Sequence, residues 1–99
     1  MTHGADIVET VRIAADHPSL PGHFPGNPIV PGVVLLDRIA AAIERVHEAR
    51  FARIDSVKFL APLKPGEDAE LRVVRDGARV RFRIDRDGAP ILRGEGEIA

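Results

Sequence analysis

The chain has no cysteine. Disulfides, thiolate catalysis and a cysteine-based zinc site are therefore excluded. It also lacks a surplus of charge: 14 Lys and Arg stand against 15 Asp and Glu, for a net charge of -1. No basic field is present to attract nucleic acid. No apolar run reaches the length of a membrane span. The first ten residues, MTHGADIVET, carry neither a basic region nor an apolar stretch, so no signal peptide is expected. What remains is a chain of 99 residues, 44% apolar and 29% charged, the composition of an ordinary globular protein. We expect one cytoplasmic domain over residues 1–99, with no metal, no cofactor, no nucleic acid and no membrane as partner. A domain of this size buries only about 60–65% of its unfolded surface, so it gains stability by forming a homodimer or larger oligomer.

The pattern of apolar residues sets out the elements. Ile7 to Ala14, IVETVRIA, alternates Val11 and Ile13 with Thr10 and Arg12, which predicts a strand. From Asp16 to Pro31 the spacing of Pro18, Pro21, Pro25, Pro28 and Pro31 predicts a long, stiff loop, because proline fixes its own φ and bars the preceding residue from helix. Such a loop in a small domain points to function. Gly32 to Ala49 follows with no proline and strong helix formers, apolar nearly all the way round in its first half and amphipathic from Glu44 to Arg50.

A run of strands then completes the chain. Arg53 to Ala61 is the first, leaving through PLKPG. Ala69 to Arg75 and Ala78 to Asp85 are joined at Asp76-Gly77, a two-residue hairpin signal that pairs Val73 with Val80 and Leu71 with Phe82. Pro90 to Ile98 follows Asp87-Gly88. A three-residue loop with a bulge there sets Leu92 opposite Phe82 and keeps Arg93 and Glu95 off the apolar face. One helix cannot cover both sides of such a meander, so the expected architecture is α+β: a curved antiparallel sheet wrapped around one central helix.

The segment GHFPGNPIVPGVVLLD resembles the active-site segment of the 3-hydroxyacyl-[acyl-carrier-protein] dehydratases, the FabA/FabZ-like family with the hotdog fold. The matching residues are His23, Phe24, Gly26, Pro28, Pro31, Gly32 and Asp37, the acid falling fourteen residues after the histidine. Downstream, SVKFLAPLKPGE resembles the family's strand and turn through Phe59, Pro62, Pro65, Gly66 and Glu67. Three departures stand out. The acid is Asp37, as in the isomerising branch, although HFPG resembles the non-isomerising branch. Ala41 stands where the family usually has Gln. The chain is also shorter than typical members, nearer in size to small dehydratase-like proteins of specialised fatty-acid and polyene pathways.

The resemblance implies loss of water from a 3-hydroxyacyl thioester on acyl carrier protein. That chemistry needs a base for the α-proton, an acid for the departing hydroxyl, and donors for the enolate oxygen. His23 can be the base, since imidazole titrates near neutrality. Asp37 can be the acid if burial raises its pKa. Gly32 opens the helix, with a free N–H and room for substrate to approach the backbone. The resemblance further implies that the carbonyl at Ile29 orients the imidazole, that Gly32, Val33, Ile29 and Phe59 contact substrate, and that the site is shared across a two-fold interface. Without the resemblance, His23 reads as a loop histidine packed on an aromatic. Asp37 reads as part of a solvated face with Glu44 and Glu48. His3, His17 and His47 are expected at the surface, and no spacing among the four histidines suggests a metal site. Arg79, Arg81 and Arg83 share one strand face with Glu70 and Arg72. That face is either a dock for the acidic carrier protein or an ordinary solvated exterior with partial cross-strand pairing. On the same fold, an acyl-thioesterase or a weakly catalytic subunit supporting a partner dehydratase are the other readings.

Overall fold

The computed structural model describes residues 6–14 and 29–99. Its elements run β1 (Ile7–Val11), α1 (Gly32–His47), β2 (Phe51–Phe59), β3 (Ala69–Asp76), β4 (Arg79–Arg86) and β5 (Ala89–Ile98). The five strands form one antiparallel sheet in the order β1-β3-β4-β5-β2. This is the expected α+β hotdog architecture, a curved sheet with one helix against its concave face. The proline-rich loop falls outside the described residues as far as position 28, and His3, His17 and His23 lie outside them too.

The alternation read from the sequence sorts the faces correctly. Leu71 and Val73 of β3, Val80, Phe82 and Ile84 of β4, and Leu92 of β5 are buried beneath the helix. From α1, Val34, Leu35, Ile39, Ala42 and Ile43 close over them at the spacing that puts side chains on one helical stripe. Phe51 meets Phe82 edge-on, ring centroids 5.5 Å apart, adding a directional contact to the area buried.

Several expectations change. First, β2 does not continue a meander into β3. It crosses to pair with β5, and β3 pairs with β1. Second, the first hairpin closes at Asp76–Arg79, so its loop is Gly77-Ala78. Gly77 takes φ 63°, the left-handed value that the first loop position of this turn demands and that glycine alone adopts freely. Val73 therefore faces Phe82, and Leu71 faces Ile84. The shift is by two residues, so every side chain keeps its face. Third, the second hairpin has a two-residue loop, Asp87-Gly88, both at positive φ. The bulge lies inside the ladder instead, beyond the Asp85–Pro90 pair, so Ile91 and Leu92 are both buried and Leu92 faces Ile84 rather than Phe82. Fourth, β1 ends at Val11, because the Ile13 carbonyl turns to accept from the Gly66 N–H at 2.8 Å. The helix likewise stops at His47, where Glu48 takes φ 54° and donates its N–H to the Glu44 carbonyl. Fifth, the apolar first half of α1 is not enclosed all round: Val33 is 62% exposed. His47 is half-buried rather than at the surface, its Nδ1 3.3 Å from an Arg75 nitrogen and its Nε2 buried with no partner among the described residues.

Candidate active site

The site is built where the chain enters α1. Pro31 is the N-cap, extended at φ -61° and ψ 142°, a conformation that proline presets. Among the described residues no side chain caps this end, and no acid stands in the first turn. The Val34 N–H turns back to the Pro31 carbonyl at 3.0 Å, which leaves the Gly32 and Val33 N–H groups without a partner among the described residues, at the positive end of the helix dipole. The segment before it is pinned: the Val30 N–H donates to the Leu63 carbonyl at 2.8 Å. That bond ties the helix entry to the turn leaving β2, the two places where the family-like motifs lie.

Gly32 faces Phe59. A Cβ built on Gly32 would stand 2.4 Å from Cε1 of that ring, far inside contact distance. The room created by the missing side chain is taken by Phe59, not left open above the backbone as expected. Ile29, Gly32 and Phe59, with Leu35 and Leu60 to Leu63, line an open groove of about 410 Å³ with predominantly apolar walls. The sequence reading missed Val30, Leu60 and Leu63. The signal for them was present in the two motifs: Val30 stands beside Pro31 in the first, and Leu60 and Leu63 stand around Pro62 in the second.

The structure does not bring Val33 or Asp37 into this groove, and His23 lies outside the described residues. Val33 and Asp37 are exposed, one turn apart on the outer stripe of α1 with Ala41. At about 100° per residue, Asp37 sits about 140° round the helix from Gly32. Its carboxyl faces away from its own chain's groove. β2 has the same outward character: it is an edge strand, none of its nine residues is buried, and Ile54 and Phe59 are 41% and 55% exposed.

The arginines read from the sequence mostly follow the solvated alternative. Arg79 donates to Asp55 at 2.9 Å and to Glu95 at 3.0 Å, Arg83 grips Asp85 with two bonds, and Arg72 donates to Glu70. Arg53 joins the first group through Asp55 and Glu97. The Arg53 hydrogen bond, helped by Arg79, holds the Asp55 carboxyl below its ordinary value. Among the described residues no helix is long and apolar enough to cross a membrane.

The sequence model of a family described as ApeI dehydratase matches residues 2–95. The 3-hydroxyacyl-[acyl-carrier-protein] dehydratase FabZ of Thiobacillus denitrificans is 31% identical over 109 residues, covering 93% of this chain and 75% of that protein. The enzyme of the same name from Haemophilus influenzae is 39% identical over 72 residues, covering 63% of this chain, which spans 49% of its length. In the solved dehydratase heterocomplex ApeI:P from Xenorhabdus doucetiae, one chain shares this fold with a TM-score of 0.81 and 24% identity, over 100% of this chain and 99% of that one.

Proposed function

The chain belongs to the ApeI-like dehydratase family, and from that premise we propose that it removes water from a 3-hydroxyacyl thioester on acyl carrier protein, giving the trans-2-enoyl thioester. The observation that carries the reading is the start of α1: Gly32, its N–H without a partner among the described residues and with no acid in the first turn, opens onto an apolar groove beside Phe59. A groove of that kind suits an acyl chain, and the amide donors suit the thioester oxygen as it gains charge in the enolate. His23 takes the α-proton and Asp37 gives a proton to the departing hydroxyl, which leaves as water. Ile29 orients the imidazole through its carbonyl, and Val33 and Phe59 flank the acyl chain.

Asp37 needs a low-dielectric setting to hold a proton for this purpose. Its own chain leaves it exposed, so the burial comes from a second subunit. The exposed Val33–Asp37 stripe and the unburied edge strand β2 are the surfaces that such a subunit would cover. In this reading the protein is a dimer of hotdog subunits, and Asp37 of one completes the groove of the other.

The test is incubation with a 3-hydroxyacyl carrier-protein substrate, with products resolved by mass spectrometry. Loss of water supports the proposal. Release of the free acid would make the protein a thioesterase. Turnover appearing only when a partner dehydratase is added would make it a supporting subunit, the reading that Ala41 favours.

A further inference from the structure

The apolar groove beside Gly32 has a rim and a floor of different character. Phe59, Leu60, Ala61 and Pro62, consecutive at the exit of β2, line it and are exposed. Val30, Leu35 and Leu63 also line it, but they are buried, at 5%, 2% and 1% exposure, and so form its floor. All three belong to the packed cluster that includes Ile13 and Ile39, neither of which has any exposed surface. The groove walls are held by backbone bonds: the Val30 N–H donates to the Leu63 carbonyl, and the Leu60 N–H donates to the Ile91 carbonyl, each at 2.8 Å. Among the described residues, none that lines the groove carries a polar side chain. The N–H groups of Gly32 and Val33 stand without a partner at the entry to α1. The groove thus has a polar end and an apolar bed.

We propose that Leu35 and Leu63 determine acyl-chain length, and that this groove takes short, straight chains of about six carbons at most. The inference rests on the reading above, in which the thioester stands at the Gly32 and Val33 N–H groups and the acyl chain runs onto the floor. Leu35 follows Gly32 by three positions in α1, an advance of about 4.5 Å along the helix. An extended backbone covers about 3.5 Å in the three bonds of each residue, so an extended acyl chain advances roughly 1.2 Å per bond. About four bonds beyond the thioester carbon bring the chain to Leu35, and about six carbons fill the groove. Up to that length each methylene exchanges water for apolar wall, which raises affinity about fourfold. Beyond it the chain must displace close-packed core or turn back into water, and neither raises affinity. Val30, Leu35 and Leu63 are buried within one chain, so the limit is built before any second subunit arrives.

The test measures binding and turnover separately on the intact protein. Pantetheine amides of saturated straight-chain acids, from about four to about twelve carbons, have no hydroxyl to lose and no thioester to hydrolyse. Calorimetric titration should show affinity rising about fourfold per methylene to about six carbons and then levelling or falling. In Leu63→Ala the limit should move out by about two carbons, and in Leu63→Val by about one, because the vacated space opens into the groove. Ile43→Ala empties a similar volume on α1 away from the groove; it should melt lower and keep the parental limit. Where a thermal melt shows Leu63→Ala unfolded, Leu63→Val decides. No binding at any length, affinity that climbs through about twelve carbons, a limit unmoved in the folded Leu63 variants, or a limit moved equally by Ile43→Ala overturns the inference. The 3-hydroxyacyl carrier-protein substrates of the same lengths separate it from the reaction. A length limit in binding without loss of water leaves the floor standing and removes the dehydratase. Loss of water at equal rates for all lengths, with no limit in binding, removes the floor and leaves the dehydratase.

Discussion

The ring of Phe59 lies where a side chain on Gly32 would begin, 2.4 Å from the position of its Cβ. Gly32→Ala therefore forces the ring to move. Phe59 is 55% exposed and can swing toward solvent, and alanine's helix propensity offsets part of the loss. The fold should change by no more than about 1 kcal/mol. Turnover should fall about tenfold or more, because the displaced ring reshapes the groove at the thioester end. Paired chemical denaturation and product assays separate the two effects; a collapse of stability with normal turnover in the remaining folded fraction would contradict this account.

Asp37→Asn should abolish most dehydration, since an amide cannot give up the proton, whereas Asp37→Glu should retain part of it. Both variants should keep the parental circular dichroism spectrum, as the side chain is exposed in its own chain and takes no part in its core. Full activity in the Asn variant would remove Asp37 from the chemistry.

His23→Ala should be inactive with an unchanged circular dichroism spectrum. If His23 and Asp37 meet only across two subunits, mixing His23→Ala with Asp37→Asn under subunit exchange restores activity. Random pairing makes half the dimers mixed, each with one intact site, so about a quarter of parental activity returns. A mixture that stays inactive, with exchange verified by native mass spectrometry, would place both groups within one chain or Asp37 outside the site.

Asp55 links stability to acid pH. Its folded pKa lies below the ordinary 3.8 because Arg53, then Arg79, hydrogen-bond the carboxylate. A depressed folded pKa contributes stability above the unfolded value and loses it as pH falls through the folded one. Urea titrations from pH 5 down to about pH 2 should show the parent losing stability below about pH 4, with a shallower loss in Asp55→Asn. Identical slopes would show that the pair contributes nothing, as many exposed ion pairs do.

Local signals carried much of the fold. Alternation in Leu71–Val73 and Val80–Phe82–Ile84 determined which side of each strand is buried, because side-chain direction in a strand has a period of two. Proline at 31 and glycine at 32 marked the helix start, because one presets φ and the other opens the first turn. The motif around Gly32 and Phe59 was legible for the same reason: it consists of residues whose backbone demands are local.

Other features required the folded chain. Hairpin register hung on which residue would adopt positive φ, and Gly77 rather than Asp76 took the first loop position. The partner of β2 is a strand more than thirty residues away in sequence, and no local preference encodes that choice. The direction of Asp37 was ambiguous on a helical wheel until the sheet decided which stripe of α1 to cover. A row of like charges on the outer face of the sheet is the plainest case. Lys58, Arg72, Arg83 and Arg93 are scattered along the sequence, each an ordinary strand-exterior residue by itself. Only the order and register of β2, β5, β4 and β3 align them, because cross-strand neighbours are set by ladder hydrogen bonds between distant segments and not by the residues' own preferences.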